Sequence, residues 1–97
     1  MPSAVPALDR LSRVRRAADV LATEVGGEMV MMDVEAGLYL GLDTIGTDVW
    51  KRLETPRSAA ELADELSRDY DAAPAVIERD VLDLLTQLAE RRLVVVC

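Results

Sequence analysis

The chain contains no histidine and no phenylalanine, and Cys97 is its only cysteine. Without an imidazole, neither a Ser-His-Asp nor a Cys-His catalytic centre can be built, and the thiol of Cys97 has no histidine to activate it. A lone thiol also cannot form an internal disulfide. These absences argue against an enzyme, so the sequence offers no catalytic residue and implies no cofactor.

Other features are missing as well. No apolar run approaches the roughly 20 residues of a membrane span, and the N-terminus lacks the charged and then apolar pattern of a signal peptide. No glycine-rich phosphate loop is present, because Gly26-Gly27 leads into a strand-like segment rather than a helix. We therefore expect a cytoplasmic protein without a membrane partner.

Ligands for a metal are also scarce. Met29, Met31 and Met32 lie close together, but thioethers alone hold only soft metals, and no cysteine or histidine joins them. Scattered carboxylates such as Asp64-Glu65 are typical of a solvated helix face. We expect these methionines to pack in the core and predict no metal site.

The charge is unevenly distributed. The net charge is −7, yet Arg10, Arg13, Arg15 and Arg16 stand in the first 18 residues against only Asp9. The remainder is therefore strongly acidic and should repel phosphate backbones, which excludes nucleic acid as an expected partner. Residues 1–18 lack a long apolar period, so we predict a flexible basic arm there and a single domain over 19–97.

The first half of that domain has the pattern of strands. Apolar residues make up 51% and charged residues 30% of the chain, as in globular proteins. Gly26-Gly27 and Gly37 are turn signals that separate three strand-like segments, which cover 20–25, 28–34 and 38–42. We predict a three-stranded antiparallel meander whose last strand is an exposed edge.

Three helices should follow. Asp43-Thr44 is an N-cap signal before Ile45, Val49, Trp50 and Leu53, which share one face, and Thr55-Pro56 ends this helix. Ser58 and Glu61 form a capping box for a helix to Tyr70. Pro74 starts the longest helix, which ends near Glu90 and carries the apolar stripe Ile77, Val81, Leu84, Leu85 and Leu88.

The fold predicted from these segments is α+β and winged-helix-like, with the meander followed by the three helices. Residues 93–96 form either a fourth strand or a packed extension. Since aromatic residues are few, the core must be built mainly of Leu, Val, Ile, Ala and Met. We expect Tyr39 and Trp50 to belong to the core, and of the two Tyr39 is the more accessible to a ligand.

One ordered set of residues resembles a known family. The spacing Gly37-x-Tyr39-x-x-Leu42-Asp43-x-x-Gly46-x-x-x-Trp50-x-x-Leu53 is similar to the PqqD-like family, the recognition elements (RREs) for precursors of ribosomally synthesised and post-translationally modified peptides (RiPPs). Asp80-Val81-x-x-Leu84-Leu85-x-x-Leu88 and the later Leu93-Val94 resemble its closing helix and tail. The likeness covers about residues 19–96.

Some details of the resemblance are more specific. Met32-Asp33 is more similar to the stand-alone leader-binding proteins of lasso-peptide biosynthesis than to the pyrroloquinoline-quinone protein. The sequence departs from the family pattern in two places. Asp43 stands where Asn is common, and Arg91-Arg92 stand where Gly is commoner.

The resemblance implies a function. Such proteins bind the leader segment of a precursor peptide without catalysis and deliver it to a leader-processing protease or a modifying enzyme. The leader would add as an antiparallel strand in a groove between the last strand and the third helix. The candidate leader-peptide-binding residues are Leu38, Tyr39, Leu40, Gly41 and Leu42 on the strand, and Val76, Asp80, Asp83, Leu84 and Gln87 on one shoulder of the third helix.

Several alternatives stay open. The opposite shoulder of the third helix, with Leu82 and Ala89, competes as the groove wall. A winged-helix DNA-binding regulator would need a basic recognition helix, whereas the basic cluster lies in the predicted arm. A pyrroloquinoline-quinone-type peptide chaperone and a subunit that dimerises through the same edge are further readings. The sequence identifies neither the precursor nor the processing enzyme.

Overall fold

A computed structural model describes residues 8–18, 20–33 and 37–97. Within these ranges, it describes the backbone but not the side chains of Asp33 and Leu38. The predicted arm residues 1–7, Asp19 and the segment 34–36 lie outside the described residues. The described chain forms, in order, β1 (Arg13–Arg16), β2 (Leu21–Val25), β3 (Glu28–Asp33), β4 (Leu38–Gly41), α1 (Thr44–Arg52), β5 (Arg57–Ser58), α2 (Ala59–Asp69), α3 (Pro74–Glu90) and β6 (Val94–Val96).

The strands form two antiparallel sheets, ordered β5-β1-β6 and β2-β3-β4. The second sheet is the predicted meander, and its turn has positive φ at both Gly26 (61°) and Gly27 (86°). β4 ends at Gly41, one residue earlier than predicted, although the Leu42 amide still donates to the Met29 carbonyl at 2.8 Å. The prediction of one meander as the whole sheet structure is wrong, since β5, β1 and β6 form another sheet.

The β5-β1-β6 sheet is built around β1, where the sequence predicted a flexible arm. Val14 is fully buried and pairs with Val96 of β6 and Arg57 of β5. The arm prediction is therefore wrong for 13–16, and the ordered structure begins before residue 19. The reason is that a single buried valine among arginines gives no readable alternation, and its partners lie far away in the sequence. Of the two predictions for residues 93–96, the strand is correct, because 94–96 form β6.

The helices begin at the predicted signals. The Asp43 side chain accepts from the Gly46 amide, Ser58 and Glu61 form the capping box, and Pro74 occupies the first turn of α3. Trp50 is buried as expected, but Ile45 is 42% exposed and Tyr39 is 69% exposed. The placement of Tyr39 and Ile45 on core faces is wrong. The Ile45 side chain borders a groove, and the Tyr39 side chain lies on a sheet face that the described residues leave uncovered.

A polar network ties α1 to α2. Arg52 donates to Asp48, Glu65 and Asp69, and Arg57 donates to Glu65. Partial burial, followed by the bond to the Asp48 carboxylate, raises the pKa of the Tyr70 hydroxyl above its ordinary value. Among the described helices, none combines the length and hydrophobicity that crossing a bilayer requires.

The end of α3 carries a residue in an unusual conformation. Arg92 has φ of 60°, the left-handed region that favours glycine. The Leu93 amide donates to the Leu88 carbonyl at 2.9 Å, which is the six-to-one bond of a Schellman-type helix end. The helix therefore terminates normally in spite of the Arg91-Arg92 departure, with arginine in the position where glycine is usual.

We expect Arg92→Gly to raise the free energy of unfolding. A side chain in the left-handed region costs about 1–2 kcal/mol, which exceeds the entropic cost of about 0.5–1 kcal/mol that glycine brings. The net gain should be about 0.5–1 kcal/mol in urea denaturation. Arg91→Gly removes the same charge at φ of −89° and should be destabilising instead. Equal effects of the two substitutions would contradict the prediction.

A second prediction concerns β1. Val14→Ala should lower the free energy of unfolding by about 2 kcal/mol, because it removes two buried carbons and leaves a cavity. Arg15→Ala, on the adjacent and exposed position of the same strand, should change it by less than about 0.5 kcal/mol. Thermal and urea unfolding compare the pair, and similar values would show that the strand contributes little to stability.

Candidate functional site

β4 is the outer strand of the second sheet. In the order β2-β3-β4 it pairs only with β3, through Val30↔Gly41, Met31↔Leu40, Met32↔Tyr39 and Asp33↔Leu38. The C-terminal strand β6 pairs with β1 in the other sheet and so leaves this edge uncovered. Within the residues that the structure describes, the far side of β4 is an open sheet edge.

The hydrogen bonds at the end of β4 show which backbone groups face outward. The Leu42 amide donates to the Met29 carbonyl, so Leu42 points its backbone groups toward β3. In an antiparallel pair such residues alternate with residues whose amide and carbonyl point away. Tyr39 and Gly41 therefore present their N–H and C=O groups at the open edge, whereas Leu40 bonds to β3.

A buried hydroxyl joins this end of the sheet to α1. The Met29 amide donates to Thr47 Oγ1 at 2.8 Å, and Thr47 Oγ1 donates to the Leu42 carbonyl at 3.4 Å. In a regular ladder the Met29 amide would bond directly to the Leu42 carbonyl. The Thr47 side chain, only 3% exposed, thus stands between the two groups and fixes the start of α1 at the end of β4.

A groove lies where β4 leads into α1, facing α3. It has a volume of about 180 Å³ and is lined by Asp43, Ile45, Gly46 and Val49 on one side and by Ile77, Asp80, Val81 and Leu84 on the other. The wall that faces α3 is therefore formed by α1 and its cap residue, whereas the sequence predicted β4 as that wall.

The close approach of this turn to the strand requires a glycine. A Cβ atom on Gly46 would lie 3.2 Å from Leu42 Cβ and 3.2 Å from Asp43 Oδ1, tighter than most atom pairs in proteins pack. Gly46 therefore allows the start of α1 to pack closely against Leu42, the residue that follows β4. Its presence weakens the isolated helix, and the Asp43 cap offsets part of that cost.

The structure divides the predicted residues of α3 into two groups. Asp80 and Leu84 line the groove. Val76, Asp83 and Gln87 are exposed but are not among the lining residues. The competing shoulder faces inward, since Leu82 packs against the core and Ala89 is 6% exposed.

The predicted strand residues also differ in their surroundings. Tyr39 and Gly41 are exposed, Leu40 is partly buried against the core, and Leu42 is buried. The side chain of Leu38 lies outside the described residues. Leu42 is thus part of the framework under the edge, while Tyr39 and Gly41 offer the accessible surface.

Sequence reasoning missed the wall that α1 contributes. The sequence indicates Asp43 only as a helix cap and Ile45 only as a core residue, although the family-like spacing includes Asp43 and Gly46. A cap residue that directly follows an edge strand could have marked this wall. Periodicity could not have done so, since it groups Ile45 with the buried Val49.

The outer face of the same sheet is unusually apolar. Leu21 and Val25 are 58% and 62% exposed, and Tyr39 lies on this face opposite Met32. Leu21, Met32 and Tyr39 border a shallow depression of about 300 Å³ that also includes Val30. A strand added at β4 would extend this face next to Tyr39.

The sequence matches one protein family over most of the region that forms this site. The match is to the family described as Coenzyme PQQ synthesis protein D (PqqD), and it covers residues 28–94, more than half of the chain. The PqqA binding protein of Xanthomonas oryzae pv. oryzae (strain PXO99A) is 42% identical over 52 residues, which are 54% of this chain and 56% of that protein. The chain thus spans about half the length of the curated relatives it matches.

Solved structures share the fold. The PqqD truncation of Methylobacterium extorquens PqqCD, a RiPP recognition element studied by solution NMR, superimposes with a TM-score of 0.78 and 26% identity over 92% of this chain and 95% of that one. TbiB1 in complex with the TbiA(beta) leader peptide superimposes with a TM-score of 0.74 and 29% identity over 82% of this chain and 93% of that one. Lasso peptide synthetase B1 complexed with the leader peptide superimposes with a TM-score of 0.70 and 28% identity over 84% of this chain and 96% of that one.

The hydroxyl of Thr47 offers a test of how the site is positioned. Thr47→Val keeps the shape but leaves the buried Met29 amide without its acceptor, which should cost about 1–3 kcal/mol of unfolding free energy. The Met29 amide should also exchange faster with solvent in NMR measurements. Thr44→Val makes the same chemical change at an exposed position of the same helix and should have little effect. If both variants behave alike, the hydroxyl does not hold α1 to the sheet.

Proposed function

The chain belongs to the PqqD family, and from this premise we propose that it binds the leader segment of a ribosomally synthesised precursor peptide without catalysing a reaction on it. The observation that carries the proposal is the open edge of β4, where Tyr39 and Gly41 direct backbone donors and acceptors outward next to the groove. An extended peptide satisfies such groups by pairing as a further strand.

The alternation of a strand determines where the side chains of the guest would go. Guest residues opposite Tyr39 and Gly41 lie on the outer face of the sheet, and the residue opposite Leu40 lies on the side of the core. Leu40 is already packed against the core, so a guest side chain on this side is directed toward the groove. Specificity would therefore come from the groove, while the edge supplies bonds that any sequence can make.

The magnitudes favour the groove as the determinant of affinity. Each backbone hydrogen bond contributes about 0.5–1.5 kcal/mol, whereas burying one apolar side chain contributes about 1.5–3 kcal/mol. Ordering a flexible leader subtracts several kcal/mol. The balance corresponds to a dissociation constant in the micromolar range or somewhat below it.

We further propose that the bound leader is delivered to a processing enzyme, either a leader protease or a modifying enzyme, in lasso-peptide or related RiPP biosynthesis. The likeness to lasso peptide synthetase B1 complexed with the leader peptide supports the lasso assignment, and the likeness to TbiB1 in complex with the TbiA(beta) leader peptide supports leader binding itself. The PqqA binding protein of Xanthomonas oryzae supports a pyrroloquinoline-quinone-type role equally well by its name. Both roles use the same leader-binding step.

DNA binding is the weaker alternative. A winged-helix regulator would place a basic helix against the phosphate backbone, but α3 exposes Asp80 and Asp83 and has no basic residue in its last turn. The acidic charge of −7 adds to the repulsion. No observation at the site favours this function over peptide binding.

Strand addition can be tested at Gly41, whose Cβ position is open space. Gly41→Ala should leave binding of a synthetic leader peptide, encoded by a neighbouring precursor gene, nearly unchanged. Gly41→Pro removes the outward N–H and sets a ring against the guest, so it should weaken binding at least about tenfold. Calorimetry measures the affinities, and circular dichroism confirms that both variants fold.

In the unmodified protein, the same leader should shift the amide resonances of Tyr39 and Gly41 more than those of β2. If Gly41→Pro binds the leader as tightly as Gly41→Ala, pairing along β4 is not the mode of binding. If the leader shifts no β4 resonance at high micromolar concentration, the proposed function itself fails.

A further inference from the structure

The groove next to β4 combines an apolar floor with two carboxylates. Ile45, Val81 and Leu84 provide apolar surface, and Asp43 and Asp80 lie on opposite sides of it. A purely apolar side chain of the guest would pack against this floor, but both carboxylates would then face a group that is less polar than water. The lining therefore indicates a guest that brings apolar surface and positive charge together.

Asp80 is the better placed of the two carboxylates for a guest. The neighbouring Glu78 on α3 is already paired, since it accepts from Arg10 at 2.7 Å. Among residues 8–18, 20–33 and 37–97, no lysine or arginine lies within ion-pair distance of Asp80, which is exposed at the groove.

Asp43 is partly engaged. Its Oδ1 accepts from the Gly46 amide at 2.7 Å as the cap of α1, and its charge compensates the positive end of that helix. It therefore adds a smaller attraction for a cation than Asp80 does. Its position defines a direction, however, because it follows the C-terminal end of β4. A guest antiparallel to β4 reaches this end with its N-terminal part.

Resting on the proposed function, we propose that the groove selects leader peptides whose bound strand carries, in its N-terminal part, a lysine or arginine beside an apolar anchor. The anchor packs against Ile45, Val81 and Leu84, and the cation pairs with Asp80. A long basic side chain suits this arrangement, because its methylene stem can cover apolar surface while its charge remains near water. The acidic charge of the whole chain, −7, attracts the same kind of peptide.

The test compares two carboxylates on the same helix. Asp80→Asn should weaken binding of the synthetic leader about three- to fivefold at low salt, the range for a solvent-accessible ion pair. Glu90→Gln also neutralises one carboxylate of α3, at an exposed residue that does not line the groove, and should change affinity less than twofold. The difference between the variants should shrink as salt is added.

A charge exchange completes the test. Asp80→Lys should weaken binding of the unmodified leader further, and a leader whose basic residue is replaced by glutamate should bind Asp80→Lys more tightly than it binds the unmodified protein. The proposal is overturned if Asp80→Asn and Glu90→Gln are indistinguishable, if the exchanged pair shows no recovery, or if the natural leader carries no lysine or arginine beside its anchor. In each of these cases a leader that still shifts Tyr39 and Gly41 leaves the proposed function intact.

Discussion

The arrangement of the site depends on one hydroxyl group. Thr47 replaces a direct bond between the Met29 amide and the Leu42 carbonyl, so the ladder between β3 and β4 ends in a helix side chain rather than in water. This places the first turn of α1, with Asp43 and Ile45, directly beyond the open edge. The same contact that closes the ladder therefore also positions the groove wall, because Thr47 belongs to the helix that carries Ile45 and Gly46.

α1 has only nine residues, fewer than a helix needs to be stable alone in water, and it is held at both ends. At its start, Asp43 caps the Gly46 amide and Thr47 joins the sheet of β4. At its end, the Arg16 guanidinium on β1 donates to the carbonyls of Trp50 and Lys51. The helix thus connects the two sheets, and the strand that was least visible in the sequence secures the end of the helix away from the groove.

Local signals explain which parts of the fold could be predicted. Gly26-Gly27, the Ser58–Glu61 box and Pro74 each act within a few residues, and the elements they mark were predicted correctly. β1 could not be found in this way, because Val14 is paired with Val96 at the other end of the sequence. The edge of β4 followed from the order of the strands, whereas the groove wall depended on how α1 packs. Periodicity grouped Ile45 with the core and could not show that its side chain is exposed.

Trp50 gives the molecule a built-in optical signal. It is the only tryptophan, it is 4% exposed, and the Arg16 guanidinium lies 5.0 Å from the centre of its ring. Its fluorescence should therefore be blue-shifted in the native state and move to longer wavelength when β1 separates from α1. Because the indole is buried and the exposed aromatic ring at the β4 edge is a tyrosine, the emission wavelength follows the integrity of the framework and is largely insensitive to occupancy of the edge.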